Sequence, residues 1–403
     1  MGHAKSVIYL DNQSTTRVDP RVVAVMLPYF TQHYGNPSSN SHALGWEAKE
    51  AVDQSRQVIA HGLRVDSREI CFTSGATESN NLALRGVLRR KRSRGRHVIT
   101  FATEHKAVLD PLRSMQQTGE CELTILPVQT QGADSPGLVD LDQLRDSIRD
   151  DTVLVSVMLV NNEMGAIQPL AEICELCHER DVWVHSDATQ ALGKIPLNLK
   201  ELGVDLASFS AHKLYGPKGI GCLYVRKGSP AIRLQPMLEG GGQEFGLRSG
   251  TLNSPGIVGF AEAVRVAIDE LSGEWDRICS LQLRFWTKLQ QVVQDVLLNG
   301  PPLSNQANAA LRIPHNLNVA FRWVDGETLM LNMPRLAVSS GSACNSTNPQ
   351  PSHVLQALGV DDDLVRGSLR FGFGRFNQEW EIDDAVDMLA ENVAKLRKSS
   401  SMS

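Results

Sequence analysis

The sequence predicts an α/β protein built on a large, mostly parallel sheet, joined to a smaller α+β unit. Three observations predict it. From about Glu69 to Arg226, short apolar runs alternate with amphipathic segments, the pattern of strands covered by helices on both faces. Polar and ionisable residues follow directly after several of these runs, where open α/β sheets bind their ligands. After Thr251 the texture changes to long helical stretches and then to short strands.

In chain order, residues 7–10 read as a short strand. The apolar run 70–73 precedes a helix expected from near Ser79, 98–101 one from near Lys106, and 153–160 one over 170–178. Runs 182–185, 206–209 and 221–225 continue the series. Beyond Thr251, helices are expected over 257–271 and 278–298, and strands over 317–321, 337–339 and 368–373. A last helix is expected over 379–397, where Ile382, Val386, Leu389, Val393 and Leu396 recur at helical spacing. Residues 303–313, rich in Ser, Asn, Gln and Ala, read as a surface loop and 398–403 as a frayed tail.

A chain of 403 residues with 42% hydrophobic side chains usually exceeds one compact domain. The expected division gives a large unit over 16–258 and a small unit made of 1–15 and 259–403. A net charge of −5, from 40 basic and 45 acidic side chains, gives no reason to expect nucleic acid or an anionic membrane as partner. No apolar run approaches the ~20 residues of a membrane-spanning helix. Seven cysteines without regular spacing fit a reducing compartment rather than a disulfide framework, and a soluble, cytoplasmic protein is expected.

The segment Ala337 to Pro349 places Cys344 among small polar residues and Gly341, where burial is difficult and movement easy. Such a thiol is placed to react. Asp187 and Lys213 stand at the ends of successive expected strands and suit a pyridoxal phosphate site: a lysine forms a Schiff base with the cofactor aldehyde, and an acid pairs with the ring nitrogen so that the ring acts as an electron sink. Any α/β protein carries such a pair, so the neighbours decide. Ser74 to Glu78 turns from strand into helix and offers backbone N–H groups and the Thr77 hydroxyl to a phosphate, with Ser210 and His212 adding donors. An ordinary helix cap would leave the same residues. His105 can lie flat on the cofactor ring and share in proton transfer, although a lone histidine is more often structural.

Other motifs read as structure. Gly216 to Gly221 lacks Walker spacing and reads as a turn between strands. Cys174 and Cys177 fall in an apolar helix without a second pair, and no metal site is expected. The basic run from Arg89 to Arg96 reads as a solvated helix end.

Over nearly the whole chain, long motifs in the same order resemble the cysteine desulfurases of the NifS/IscS kind, class-V aminotransferase-like enzymes of fold type I. The stretches are Tyr9 to Asn12 with Ser14 to Thr16, Gly35 to Ser39, Thr73 to Ser79, Thr103 to Val108, Val160 to Glu163, His185 to Gln190, His212 to Gly221, Arg248 to Thr251 and Ser339 to Cys344. The resemblance implies pyridoxal 5'-phosphate held by Lys213, with Asp187 on the ring nitrogen, Gln190 on the ring hydroxyl, His105 on the ring face, and Ala76 and Asn162 also at the cofactor. It implies Thr77, Ser210 and His212 as phosphate ligands, joined by Thr251 from the second copy of a homodimer. Arg370, helped by Asn162, resembles the clamp for the substrate carboxylate.

The implied reaction takes sulfur from L-cysteine, leaves L-alanine, and keeps a persulfide on Cys344 for an acceptor protein such as an iron–sulfur scaffold. An unperturbed thiol with a pKa near ~8.5 is only slightly ionised at neutral pH, so a proton acceptor is needed, and His105 is the expected one. The length of the segment over about 339–351 resembles the group with a long cysteine loop. Selenocysteine lyase, which shares the fold and cofactor, and an aminotransferase, which has no need of Cys344, are the alternatives.

Overall fold

The computed structural model describes residues 7–90, 95–228, 231–304, 311–340 and 351–400. Cys344, residues 91–94 of the basic run and 305–310 of the expected loop lie outside them. Twelve strands are present among the described residues: β1 (Ile8–Tyr9), β2 (Ile70–Thr73), β3 (His97–Phe101), β4 (Glu122–Leu126), β5 (Thr152–Ser156), β6 (Trp183–Asp187), β7 (Leu206–Ser210), β8 (Gly221–Val225), β9 (Val296–Leu298), β10 (Asn316–Phe321), β11 (Leu336–Ala337) and β12 (Ser368–Gly372).

Seven of them form one sheet in the order β2-β8-β7-β6-β5-β3-β4. All but β4, an edge strand, are buried along their whole length, as expected of strands covered on both faces. β8 runs antiparallel to both neighbours, and the other contacts are parallel. The cause is the length of the connection before it. Residues 211–220 leave no room for the dozen or more residues of a helical crossover, so the chain reverses instead. Lys213 sits in this reversal.

Helix Ala76–Arg90 begins three residues earlier than the sequence pattern indicates, directly at the turn after β2. There Gly75 adopts φ 150°, and Gly221 of β8 lies so close that a Cβ on it would stand 2.7 Å from the Gly75 Cα. Glycine at both positions lets the turn rest on the neighbouring strand.

A second layer is the three-stranded antiparallel sheet β12-β10-β9. It buries Leu317, Val319, Phe321, Leu369 and Phe371 against helices Leu271–Val292 and Glu379–Ser400. The boundary placed at 258/259 from the sequence falls inside helix Ser254–Asp269. That helix buries Ile257, Phe260, Val264 and Ala267 in the core of the large sheet. The N-terminal strand β1 pairs with β11, which carries the start of the chain across to the second layer. Among the described residues no helix is long and apolar enough to cross a membrane.

Candidate active site

The carboxyl ends of β2, β3, β5, β6 and β7 open into one cavity of about 1000 Å³. Ala76, Thr77, His105, Asn162, Asp187, Gln190, Ser210, His212, Lys213 and Arg370 all line it. Thr251 does not, and it is exposed on the single chain.

Lys213 points its Nζ at the carbonyl oxygens of Gln13, at 2.7 Å, and Ser14, at 2.6 Å. Burial and the nearby Arg370 guanidinium lower its amine from 10.5 to about 8, so the neutral, nucleophilic form is within reach near neutral pH. The segment that supplies those carbonyls is tied down by Thr16, whose N–H and hydroxyl both donate to the His212 carbonyl at 2.9 Å.

Asp187, the last residue of β6, accepts from Asn80 Nδ2 at 2.8 Å and from the Thr189 N–H at 3.1 Å. Asn80 lies one turn into helix Ala76–Arg90, on the face that carries Ala76 and Thr77, so one helix both starts the cavity wall and orients the acid. Gln190 donates to the Gln13 carbonyl at 2.9 Å, the same oxygen that Lys213 uses. Its Oε1 accepts from Lys194, a buried lysine that also donates to Gln13 Oε1 at 3.1 Å. Lys194 thereby fixes the Gln190 amide with its nitrogen toward Lys213. His185 of the same motif is instead inside the sheet, bonded to Ser156 of β5 at 2.8 Å and Ser208 of β7 at 3.0 Å.

At the other end of the cavity, the first turn of helix Ala76–Arg90 presents its N–H groups beside Thr77, Ser210 and His212. His212 contacts Thr15 Oγ1 at 3.1 Å, and burial holds its ring neutral, lowered to about 4. Glu78 closes the turn by accepting from the Ser74 N–H at 2.7 Å and pairs with Arg248 at 2.9 Å.

His105 caps helix Lys106–Gln117: its Nδ1 accepts the Ala107 N–H at 3.0 Å. Burial within the cavity wall lowers its ring below the usual imidazole range, so it is neutral at pH 7. A neutral ring that accepts at Nδ1 carries its proton on Nε2. As bonded here, it offers an N–H to the cavity.

Arg370 in β12 donates to the Asn162 carbonyl and to Asp11, each at 3.0 Å, while its Nε is buried without a partner among the described residues. Its backbone is bridged to Ser339, where the segment bearing Cys344 leaves. Where that segment returns, the Ser352 hydroxyl donates to the buried Glu163 carboxyl. Ser339 and Ser352 both line the cavity.

Burial pushes Glu163 up from 4.5 to about 7. Between those values the folded protein keeps a proton that the unfolded chain releases. Its contribution thus favours folding at low pH and fades as pH rises through that window, by up to about 3 kcal/mol. Glu163→Gln is expected to flatten this slope, gaining stability over the parent at pH 8 but not at pH 5. Parallel denaturant midpoints for the two proteins across that range would refute the assignment.

The six described cysteines are buried and unpaired. Burial raises the thiols of Cys71, Cys121, Cys174, Cys177, Cys222 and Cys279, which leaves them protonated and poor nucleophiles. Sequence reasoning missed Gln13, Asn80, Lys194, Ser352 and His353. Asn80 was within reach, three residues past Thr77 on a helix. Among the described residues no group of side chains could hold a metal ion.

The donor set fits pyridoxal phosphate: an amine of lowered pKa, a fixed carboxylate across from it, a helix start for the phosphate, and two buried unpartnered donors, Thr189 Oγ1 and Arg370 Nε, on the cavity wall. Fold and site together define a pyridoxal phosphate enzyme of fold type I. The chain belongs to the aminotransferase class-V family, whose model matches residues 8–384. Within it, the chain is 48% identical to cysteine desulfurase IscS of Rickettsia prowazekii over 393 residues, 98% of this chain and 92% of the relative. A solved NifS-like protein superposes with a TM-score of 0.87 at 37% identity, over 96% of this chain and 99% of that one. The structure described as SspA in complex with cysteine superposes with a TM-score of 0.77 at 33% identity, over 91% and 98%.

Proposed function

We propose that the chain is a cysteine desulfurase that converts L-cysteine to L-alanine and keeps the sulfur as a persulfide on Cys344 for transfer to an acceptor protein. The observation that carries this reading is that the segment bearing Cys344 leaves from Ser339 and returns at Ser352, both on the wall of the cavity that holds Lys213. An aminotransferase needs no thiol there. The six buried cysteines support Cys344 as the carrier, and the likeness to a protein crystallised with cysteine supports the substrate.

When bound, pyridoxal phosphate supplies an electron sink for negative charge developing at the substrate Cα. Lys213 would hold the cofactor, and its Nζ would take the Cα proton. With the cofactor bound, Asp187 would keep the proton on the ring nitrogen, Gln190 would donate to the ring hydroxyl, and His105 would cover the ring face. Arg370, with Asn162 beside it, receives the substrate carboxylate. Ala76, Thr77, Ser210 and His212 would hold the phosphate. Thr251, exposed on one chain, would complete that cradle from a second copy, which makes the working unit a homodimer. Unpaired cysteines support a cytoplasmic setting.

Incubation of the cofactor-loaded protein with L-cysteine is expected to yield alanine, with persulfide mapped to Cys344 by mass spectrometry. Persulfide on Cys71 or Cys222 instead would overturn the assignment of the carrier. A strong preference for L-selenocysteine over L-cysteine in the same assay would make the enzyme a selenocysteine lyase.

A further inference from the structure

A second imidazole, His353, faces the same cavity. It is the first residue of helix His353–Ala357, directly after Ser352, which caps that helix by accepting the Leu355 N–H at 3.2 Å. The ring is held from the other side. Its Nε2 lies 2.9 Å from the backbone carbonyl oxygen of Glu104. A carbonyl only accepts, so Nε2 carries a hydrogen, and in the neutral ring Nδ1 keeps its lone pair. No group among the described residues bonds that atom.

The two histidines on the cavity wall are therefore complementary. His105 accepts a backbone N–H at Nδ1 and shows the cavity an N–H. His353 donates to a backbone carbonyl and keeps a free acceptor. Burial lowers the His353 ring below the usual imidazole range, outweighing the bond to the Glu104 carbonyl, which raises it, with Lys106 and Arg113 acting in the same direction as burial and Asp110 against them. His105 stands beside it, and Glu163 lies beyond Ser352. The ring is therefore neutral at pH 7.

The cysteine reaction needs such an acceptor. Two thiol protons enter, one on the substrate and one on Cys344; the products, alanine and a persulfide anion, keep only one of them, on carbon. We infer that Nδ1 of His353 accepts the proton carried by the substrate sulfur. The S–S bond forms between Cys344, as thiolate, and that sulfur. The Cβ–S bond breaks with its electron pair left on carbon, and carbon takes the other thiol proton, the one Cys344 gave up on becoming a thiolate, to form the methyl group of alanine. This inference rests on the cysteine desulfurase reading, and no other reductant or oxidant is required.

The test compares the cofactor-loaded parent with His353→Gln, whose amide can still donate to the Glu104 carbonyl but cannot titrate. The expected result is a loss of kcat of about 100-fold with KM little changed. The fall in rate toward low pH expected of the parent should also disappear, with cofactor absorbance unaltered. A variant that keeps the parent's kcat and pH profile would overturn the inference. A parent that makes no alanine would defeat the cysteine desulfurase reading itself, so the two failures are distinguishable. Should the variant not fold, nitrogen NMR of the histidine rings in the parent decides: a bare Nδ1 on His353 supports the inference and a proton there overturns it.

Discussion

Replacing Lys213 with alanine is expected to cut alanine formation from cysteine by about 10³-fold or more, and to leave the purified protein without the visible absorbance of a lysine-bound cofactor. The expectation comes from how this amine is held. Two carbonyls, of Gln13 and Ser14, orient Nζ, and burial beside Arg370 brings its pKa down to about 8. Lowering an amine's pKa favours the neutral form, and the neutral form is the one that attacks an aldehyde. In cofactor-free protein, capture of pyridoxal phosphate should therefore accelerate as pH rises through about 8, well below an ordinary lysine. Lys213→Ala still has Asp187, Gln190 and the helix start of Ala76–Arg90, so it should bind the cofactor without the covalent link. Normal visible absorbance in that variant would mean that another amine holds the cofactor.

Arg370→Ala is expected to raise KM for L-cysteine by about 10² to 10³-fold, the usual cost of removing one partner from a buried charged pair. Here the guanidinium is already half committed: it donates to Asn162 and Asp11, and its Nε is unused and buried. Lysine places a point charge where a planar fork is needed, so Arg370→Lys should recover little. Because truncation also leaves Asp11 without its partner, the measurement is KM at full cofactor occupancy. An unchanged KM would move the carboxylate site elsewhere.

Much of this site is legible in the sequence because α/β sheets present chemistry at strand ends. Ser74 to Glu78, His105, Asp187 and Lys213 each follow an apolar run closely, and all reach one cavity. What was hidden is of two kinds. The Gln13 and Ser14 carbonyls act through backbone, which leaves no side-chain signature. Lys194 and His353 act through partners distant in the chain, so spacing carries no trace of them. In the fold, the reversed direction of β8 was masked because a strand buried on both faces looks alike in either direction; only the short 211–220 connection betrays it. The helix expected to run to 298 stops at Val292, and after Asp295, at φ 53°, the same apolar run becomes β9. Hydrophobicity alone does not distinguish those two states.

The pinned residues Ser339 and Ser352 also bound how far sulfur can travel. Cys344 is the fifth residue after Ser339, and a fully stretched chain advances at most about 3.6 Å per residue. Its Cα therefore stays within about 18 Å of the Ser339 anchor. On the proposed reading of Cys344 as carrier, a recipient has to bring its receiving atom to within a side-chain length of that radius.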